Sequence, residues 1–147
     1  ENEDRYRGLF NAMGEGVAVY EVRNNGADFY FTEFNRAAEK MDGRTRDQVL
    51  GRSLRALYPA VDEMGVTAAM RRVWETGETA YLPLRRYRDD RIEVMRENWI
   101  YRLPTGEVMA VYEDSTEKYR VLADLQISEA RYRRLDALLD AMGEDPT

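Results

Sequence analysis

Val108-Met109-Ala110-Val111-Tyr112 runs directly into Glu113-Asp114-Ser115-Thr116-Glu117-Lys118, and the change of pattern here organises the rest of the chain. The apolar, β-branched run reads as a strand. After Thr116 the apolar residues return at helical spacing and continue almost to the terminus. Asp114 followed by Glu117 has the form of a capping box: the Asp side chain accepts from an orphan backbone N–H, and the Glu reaches back to the cap's own N–H. A final strand is thus joined to a long exit helix without slack. The same residues would also start an ordinary well-capped helix, so the weight of Asp114, Ser115, Thr116 and Glu117 as a signal junction depends on what lies upstream.

Upstream, Asp4 is placed to cap a short helix with Tyr6, Leu9, Phe10 and Met13 on one face. Gly14 and Gly16 end it. Val17 to Val22 and Asp28 to Phe34 read as strands around an Asn24-Asn25-Gly26 turn, which makes a hairpin. Asn35 opens a short helix closed by Asp42-Gly43, and Thr45 with Gln48 forms a second capping box. Leu54, Leu57 and Tyr58 give one more turn before Pro59. Val66, Met70, Val73 and Trp74 then define an amphipathic helix ending at Thr76-Gly77. The remainder is β: Thr79 to Arg86, with Pro83 favouring an edge or a bulge, then Ile92 to Leu103, then Val108 to Glu113 after the turn Pro104-Thr105-Gly106. Strands split by a helical segment indicate an α+β domain, antiparallel, with helices on one face of the sheet.

Composition narrows the function. With 147 residues, 44% of them apolar, the chain holds one domain with a real core plus an appendage. A net charge of −6 and a pI near 4.9 argue against nucleic-acid or anionic-membrane partners. No apolar run is long enough to span a bilayer, and a cytoplasmic setting is expected. The chain has no Cys, hence no thiol nucleophile, zinc ribbon or cysteinyl–flavin adduct. It has no His, hence no imidazole base, histidine-ligated haem or phospho-accepting histidine.

The order of elements and its punctuation resemble a PAS domain, the sensory module of bacterial signalling proteins. Asn35-Arg36-Ala37-Ala38-Glu39-Lys40-Met41 with Gly43 is similar to that family's first short helix, and Thr45 to Gly51 with Arg52-Ser53-Leu54 to its next two turns. Pro104-Thr105-Gly106-Glu107 sits where the last hairpin belongs. Asp114-Ser115-Thr116-Glu117 resembles the Asp-Ile-Thr-Glu end of the fold, with Ser115 in place of the aliphatic residue. The resemblance covers residues 5–117 and implies a five-stranded antiparallel sheet whose concave face, covered by helices, holds a ligand or is packed. It also implies a regulatory, non-catalytic role ahead of an output domain in the same parent chain, a histidine kinase of a two-component system or a diguanylate cyclase. The Cys of the light-sensing flavin branch and the His of the haem branch are both absent, so neither cofactor is expected and any small-molecule ligand is unassigned.

Arg5-Tyr6-Arg7 recurs as Arg131-Tyr132-Arg133, and Ala12-Met13-Gly14-Glu15 as Ala141-Met142-Gly143-Glu144. Similarity at domain spacing points to duplicated modules. The division expected is a lead-in over 1–16, a PAS core over 17–114 and an exit helix over 115–142, with 131–147 resembling the start of a second PAS domain. In a heptad frame the exit helix places Lys118, Leu125, Tyr132 and Leu139 at a, and Val121, Ser128, Leu135 and Met142 at d. Val121, Leu125, Tyr132, Leu135 and Leu139 are the residues expected to make a homodimeric coiled coil. Folding back of Val121, Leu122 and Leu125 on their own domain is the one-chain alternative.

A pocket is expected between the sheet and the Val66–Glu75 helix, lined by Met70, Trp74, Met95, Trp99, Tyr101 and Tyr112. In the strand 96–103, Trp99, Tyr101 and Leu103 share one face, and Asn98, Ile100 and Arg102 the other; which face is inward stays open. Arginines 85, 86, 88, 91, 96 and 102 suit either an anionic ligand or a solvated face balanced by Asp89, Glu93 and Glu97. Two other readings stand beside the sensory one. The first is a small cone-type α+β enzyme using cavity carboxylates, for which Glu93 and Glu97 are the candidates. The second is a structural spacer with a filled core.

Overall fold

The expected order of elements is found, with boundaries shifted by a residue or two. The computed structural model describes residues 2–114 and 116–143, with side chains over 7–114 and 120–142. The chain divides into two units, Glu1–Ser115 and Thr116–Thr147. The first begins with α1 (Asn2–Ala12), β1 (Gly16–Arg23) and β2 (Asp28–Phe34). Four short helices follow: α2 (Arg36–Asp42), α3 (Arg46–Val49), α4 (Leu54–Leu57) and α5 (Val66–Thr76). Strands β3 (Ala80–Arg88), β4 (Glu93–Arg102) and β5 (Val108–Asp114) complete it, and the second unit is α6 (Thr116–Gly143). Helix α1 starts ahead of Asp4, so this residue lies inside the helix instead of capping it.

The five strands make one antiparallel sheet in the order β2-β1-β5-β4-β3. The last strand in sequence is therefore the central one. Pro83 lies in the edge strand β3, where the register shifts between Leu82 and Arg85. Its missing N–H costs nothing there. A second irregularity lies between β1 and β2. Ala18 pairs with Phe34 but Tyr20 pairs with Phe31, so β2 carries one extra residue. The bulge brings Phe31 and Phe34, three apart and of opposite parity, into one apolar cluster with Ala18 and Tyr20.

That cluster lines the concave side, where Phe29, Phe31, Ile100, Val108 and Ala110 of the sheet face Ala38, Val49, Leu54, Val61, Met70 and Val73 of the helical segment. The opposite side carries a smaller cluster, in which Phe10 of α1 packs on Val17 and Val111 beside Tyr101 and Met109. The loop between α3 and α4 docks on β2 through the Phe31 N–H to the Arg52 carbonyl (3.0 Å) and the Gly51 N–H to the Phe31 carbonyl (2.8 Å).

Asn35 ties these parts together. It is fully buried and stands at the N-cap of α2. Its Oδ1 accepts from Ala38 N (3.0 Å), as an N-cap should, and also from Val17 N (2.8 Å) at the start of β1. Its Nδ2 donates to the carbonyls of Phe10 (2.9 Å) and Glu15 (3.0 Å). One carboxamide thus satisfies four backbone groups from the end of α1, the entry to β1 and the first turn of α2. Asn35→Ala should lower stability by at least about 2 kcal/mol, combining a lost cap with buried groups left unanswered. A urea titration with a lower midpoint and an unchanged slope is the expected result.

Candidate functional site

The concave side is not packed solid. A partly open cavity of about 70 Å³ lies between sheet and helices, against the ~10–15 Å³ that a single water needs. Phe31, Leu54, Val61, Met70 and Ile100 give it apolar walls, while Tyr20, Asp42, Tyr58, Arg96, Asn98 and Tyr112 supply polar groups. Leu82, Pro83 and Arg85 of β3 stand at the edge-strand side.

The polar groups centre on Asp42, the last residue of α2, which is only 3% exposed. Its Oδ1 accepts from Arg96 Nη2, and Oδ2 from the hydroxyls of Tyr58 and, at 3.3 Å, Tyr112. Its carbonyl accepts from Arg91 Nη2, while Arg96 Nη2 also reaches the Met41 carbonyl (3.5 Å). Two arginines from the β3–β4 hairpin thus hold the carbonyl end of α2, the favourable end of the helix for positive charge. Arg96 is itself buried, at 9% exposure, and its guanidinium lies 4.9 Å from the centre of the Tyr112 ring.

Backbone register explains how the partners meet. Arg96 and Asn98 face inward from β4 and sit opposite Asp114 and Tyr112 of β5. Gly16 pairs with Tyr112 from the other side, and a Cβ there would fall 2.5 Å from the Tyr112 ring. The glycine leaves the space that the phenol occupies. Tyr58 closes α4 and is followed by Pro59, so its ring is fixed where the helix must stop.

Burial would push Arg96 down, but the charge of Asp42, helped by Tyr112 and Tyr58, more than offsets it and raises Arg96 above its usual value. Burial first, then Asp42, push Tyr20, Tyr58 and Tyr112 well above the usual phenol range. All three stay protonated donors near neutral pH.

The sequence model of the PAS fold matches residues 10–120. The chain belongs to the PAS-fold family. Solved structures similar to this PAS domain include a domain of a sensory box sensor histidine kinase/response regulator from Geobacter sulfurreducens. It is 23% identical, with a TM-score of 0.60, over 77% of this chain and 94% of that one. The photoactive yellow protein domain of the sensor histidine kinase Ppr from Rhodospirillum centenum is 15% identical (TM-score 0.60; 74% and 92% covered). The PAS domain of nitrogen regulation protein NR(II) from Vibrio parahaemolyticus is 13% identical (TM-score 0.55; 74% and 96% covered). At these identities the likeness is one of fold. None of the curated proteins matches the sequence.

Of the residues singled out from sequence, Met70 and Tyr112 line the cavity of this PAS domain. Trp74, Met95, Trp99 and Tyr101 do not. Trp74 instead packs on the β1–β2 turn, its ring 2.9 Å from where Gly26 would carry a Cβ. Trp99 lies on the opposite face of the sheet, its ring tilted against that of Tyr81 at 5.4 Å, and Tyr101 packs against the Phe10 cluster there. Met95, one residue before Arg96, has the outward parity of β4. The face left open from sequence is the Asn98–Ile100 face. Of the arginines, only Arg96 and Arg85 reach the cavity, while Arg86 pairs with Glu93 (3.6 Å) and Arg102 donates to the Trp74 carbonyl (3.1 Å).

The carboxylates considered for an enzyme stand elsewhere: Glu93 is exposed, and Glu97 accepts from Tyr81 at 2.7 Å. The cavity's carboxylate is Asp42, and both of its oxygens are already taken by donors. Asp42, Tyr58 and Tyr20 are not singled out by the sequence, where Asp42-Gly43 reads as a helix stop, and Arg96 appears there only within an arginine run that suits either an anionic ligand or a solvated face. At the junction, Asp114 is exposed and pairs in register with Arg96. Ser115 and the side chains of Thr116 and Glu117 lie outside the described residues. Arg96→Met should cost about 3–5 kcal/mol by stranding the buried Asp42 charge, whereas Arg96→Met with Asp42→Asn should recover most of that loss. Chemical denaturation of both variants reads the difference.

Proposed function

We propose that this PAS domain is the sensory and dimerisation module of a bacterial signal-transduction protein, relaying a ligand- or packing-dependent change from its sheet to the C-terminal helix. The observation that carries this reading is the position of Tyr112. Its hydroxyl rests on Asp42 in the cavity wall, two residues before β5 ends at Asp114, and α6 begins at Thr116. A shift of the Asp42 cluster therefore acts directly on the strand that leads into the exit helix. Two of the similar solved structures come from sensor histidine kinases. This supports a histidine kinase of a two-component system as the output domain in the same parent chain, with a diguanylate cyclase as the other output proposed. The net charge of −6 supports a setting without nucleic acid. Among the described residues no helix is long and apolar enough to cross a membrane. A cytoplasmic setting is part of the proposal, in keeping with a module that serves a two-component system.

Asp114→Ala should leave the domain folded, because a lost cap costs about 0.5–2 kcal/mol. It should loosen the first turn of α6, read as faster hydrogen exchange at residues 115–120. Unchanged protection there would remove Asp114 from the relay.

The partner is proposed to be a second copy. Along α6, Val121, Leu125, Tyr132, Leu135, Leu139 and Met142 are all more than half exposed. They fall within a sector of about 120° of the helix. Leaving such a stripe in water costs about 25 cal/mol per Å². Light scattering should find a dimer for the whole chain and a monomer for a version ending at Lys118. The same state for both chains would remove α6 from the interface.

No haem or flavin is proposed as cofactor. Cys and His are absent from the chain, and the cavity of about 70 Å³ suits a far smaller molecule. The purified protein should show no visible absorption band that persists through gel filtration.

A further inference from the structure

We propose that the cavity takes a small uncharged molecule with an apolar body and one polar head that both donates and accepts hydrogen bonds, a single hydroxylated ring being a fitting shape. The inference rests on the sensory reading of the same site and gives its ligand a chemical class.

The first observation is which hydroxyls are taken. Tyr58, Tyr87 and Tyr112 each donate to a carboxylate, the first and third to Asp42 and the second to Asp89. Tyr20 also lines the cavity and is only 5% exposed, yet among the described residues its hydroxyl has no hydrogen-bond partner. The half-buried Asn98 carboxamide on the neighbouring inward face is likewise unbonded among the described residues, and Arg96 Nε is buried without a partner. Buried polar groups are ordinarily satisfied within the protein or by water. Tyr20, Asn98 and Arg96 all line the same cavity as the apolar side chains of Phe31, Leu54, Val61 and Met70, the Phe31 ring lying 4.8 Å from that of Tyr20, whereas Arg44, whose Nε is also buried without a partner among the described residues, lies outside the lining. Tyr20 and Asn98 together offer donors and acceptors, which suits a head with both functions.

The second observation is charge. Asp42 and Arg96 are in contact, so the buried interior is close to neutral; the other charged residue of the lining, Arg85, is exposed at the edge-strand side and donates to the Met64 carbonyl. An anion would meet the Asp42 carboxylate, and winning Arg96 from it would strand that charge. A cation would meet the same difficulty at Arg96. An uncharged head avoids both. Burial, with Asp42 nearby, holds Tyr20 protonated and therefore able to donate.

The test compares three ring compounds of similar size on the full chain: phenol, toluene, which lacks the head, and benzoate, which carries charge. Backbone amide chemical shifts at Tyr20, Asn98, Ile100 and Ala110 report occupancy. Phenol should give saturable shifts at these positions and bind more tightly than either comparator. Tyr20→Phe removes a single oxygen and should weaken phenol about three- to tenfold, the worth of one hydrogen bond, while leaving toluene unchanged. Absence of saturable phenol shifts, benzoate or toluene matching phenol, or a silent Tyr20→Phe would overturn the proposal. Hydrogen exchange at residues 115–120 separates it from the sensory reading. Phenol that binds without altering that exchange upholds the ligand class and removes the relay. Benzoate that binds more tightly than phenol and alters the exchange overturns the class and leaves the relay standing.

Discussion

Everything on the concave side depends on a carboxylate and a guanidinium being held together out of water. Asp42 closes α2 and Arg96 sits mid-way along β4, far apart in sequence but in contact in space. Desolvating both is expensive, and an apolar pair of similar volume would often be at least as stable. What the ionic pair adds is geometry. A seven-residue helix such as α2 is marginal alone, and here its end is fixed by donors from β4, α4 and β5 through one side chain. An apolar contact could slide or close over the cavity. A carboxylate with each oxygen committed holds the helical cover at a set distance from the sheet.

Asn35 plays the corresponding part at the other end of α2. Both ends of the helix are therefore defined by buried polar side chains that reach other elements, Asn35 to α1 and β1, Asp42 to β4 and β5. Between them α2 buries Ala38, a residue small enough to let the helix lie close to the sheet. The bulge in β2 then supplies the bulk that Ala38 lacks, by turning both Phe31 and Phe34 inward.

The parts of this fold legible in the sequence are those governed by neighbours along the chain. Thr45 with Gln48 is a reciprocal capping box, Gly43 is left-handed at the end of α2, and Pro83 lies in a bulged edge strand. Each reflects chemistry within a few residues. The site was legible only in part because its logic is register. Trp99 and Tyr101 are the bulkiest residues of β4, and bulk suggests a pocket. Yet α1 gives the outer face an apolar cover of its own, so large aromatics suit that side as well. Arg96 is indistinguishable in sequence from its exposed neighbours. Only its alternation with Asn98 and Ile100, and their pairing with Asp114, Tyr112 and Ala110, turns it inward.

The same register confines how a change at the cavity can travel. Strand β5 is hydrogen-bonded on both sides, to β1 and to β4, so it cannot slide without breaking two ladders. What remains free is the side chain that β5 presents to the cavity. Tyr58 and Tyr112 share a single oxygen of Asp42, and the Tyr112 contact, at 3.3 Å, is longer than the usual O–H···O range of about 2.5–3.0 Å. Two donors on one acceptor compete, so strengthening one hold on Asp42 loosens the other. The helical cover and the exit strand thus meet at one carboxylate oxygen, the contact on which the proposed relay rests. Under the proposed relay, a molecule that disturbs Tyr58 reaches β5 through that atom, and one that draws Arg96 away reaches it through the other oxygen of the same carboxylate, with no movement of the sheet as a whole.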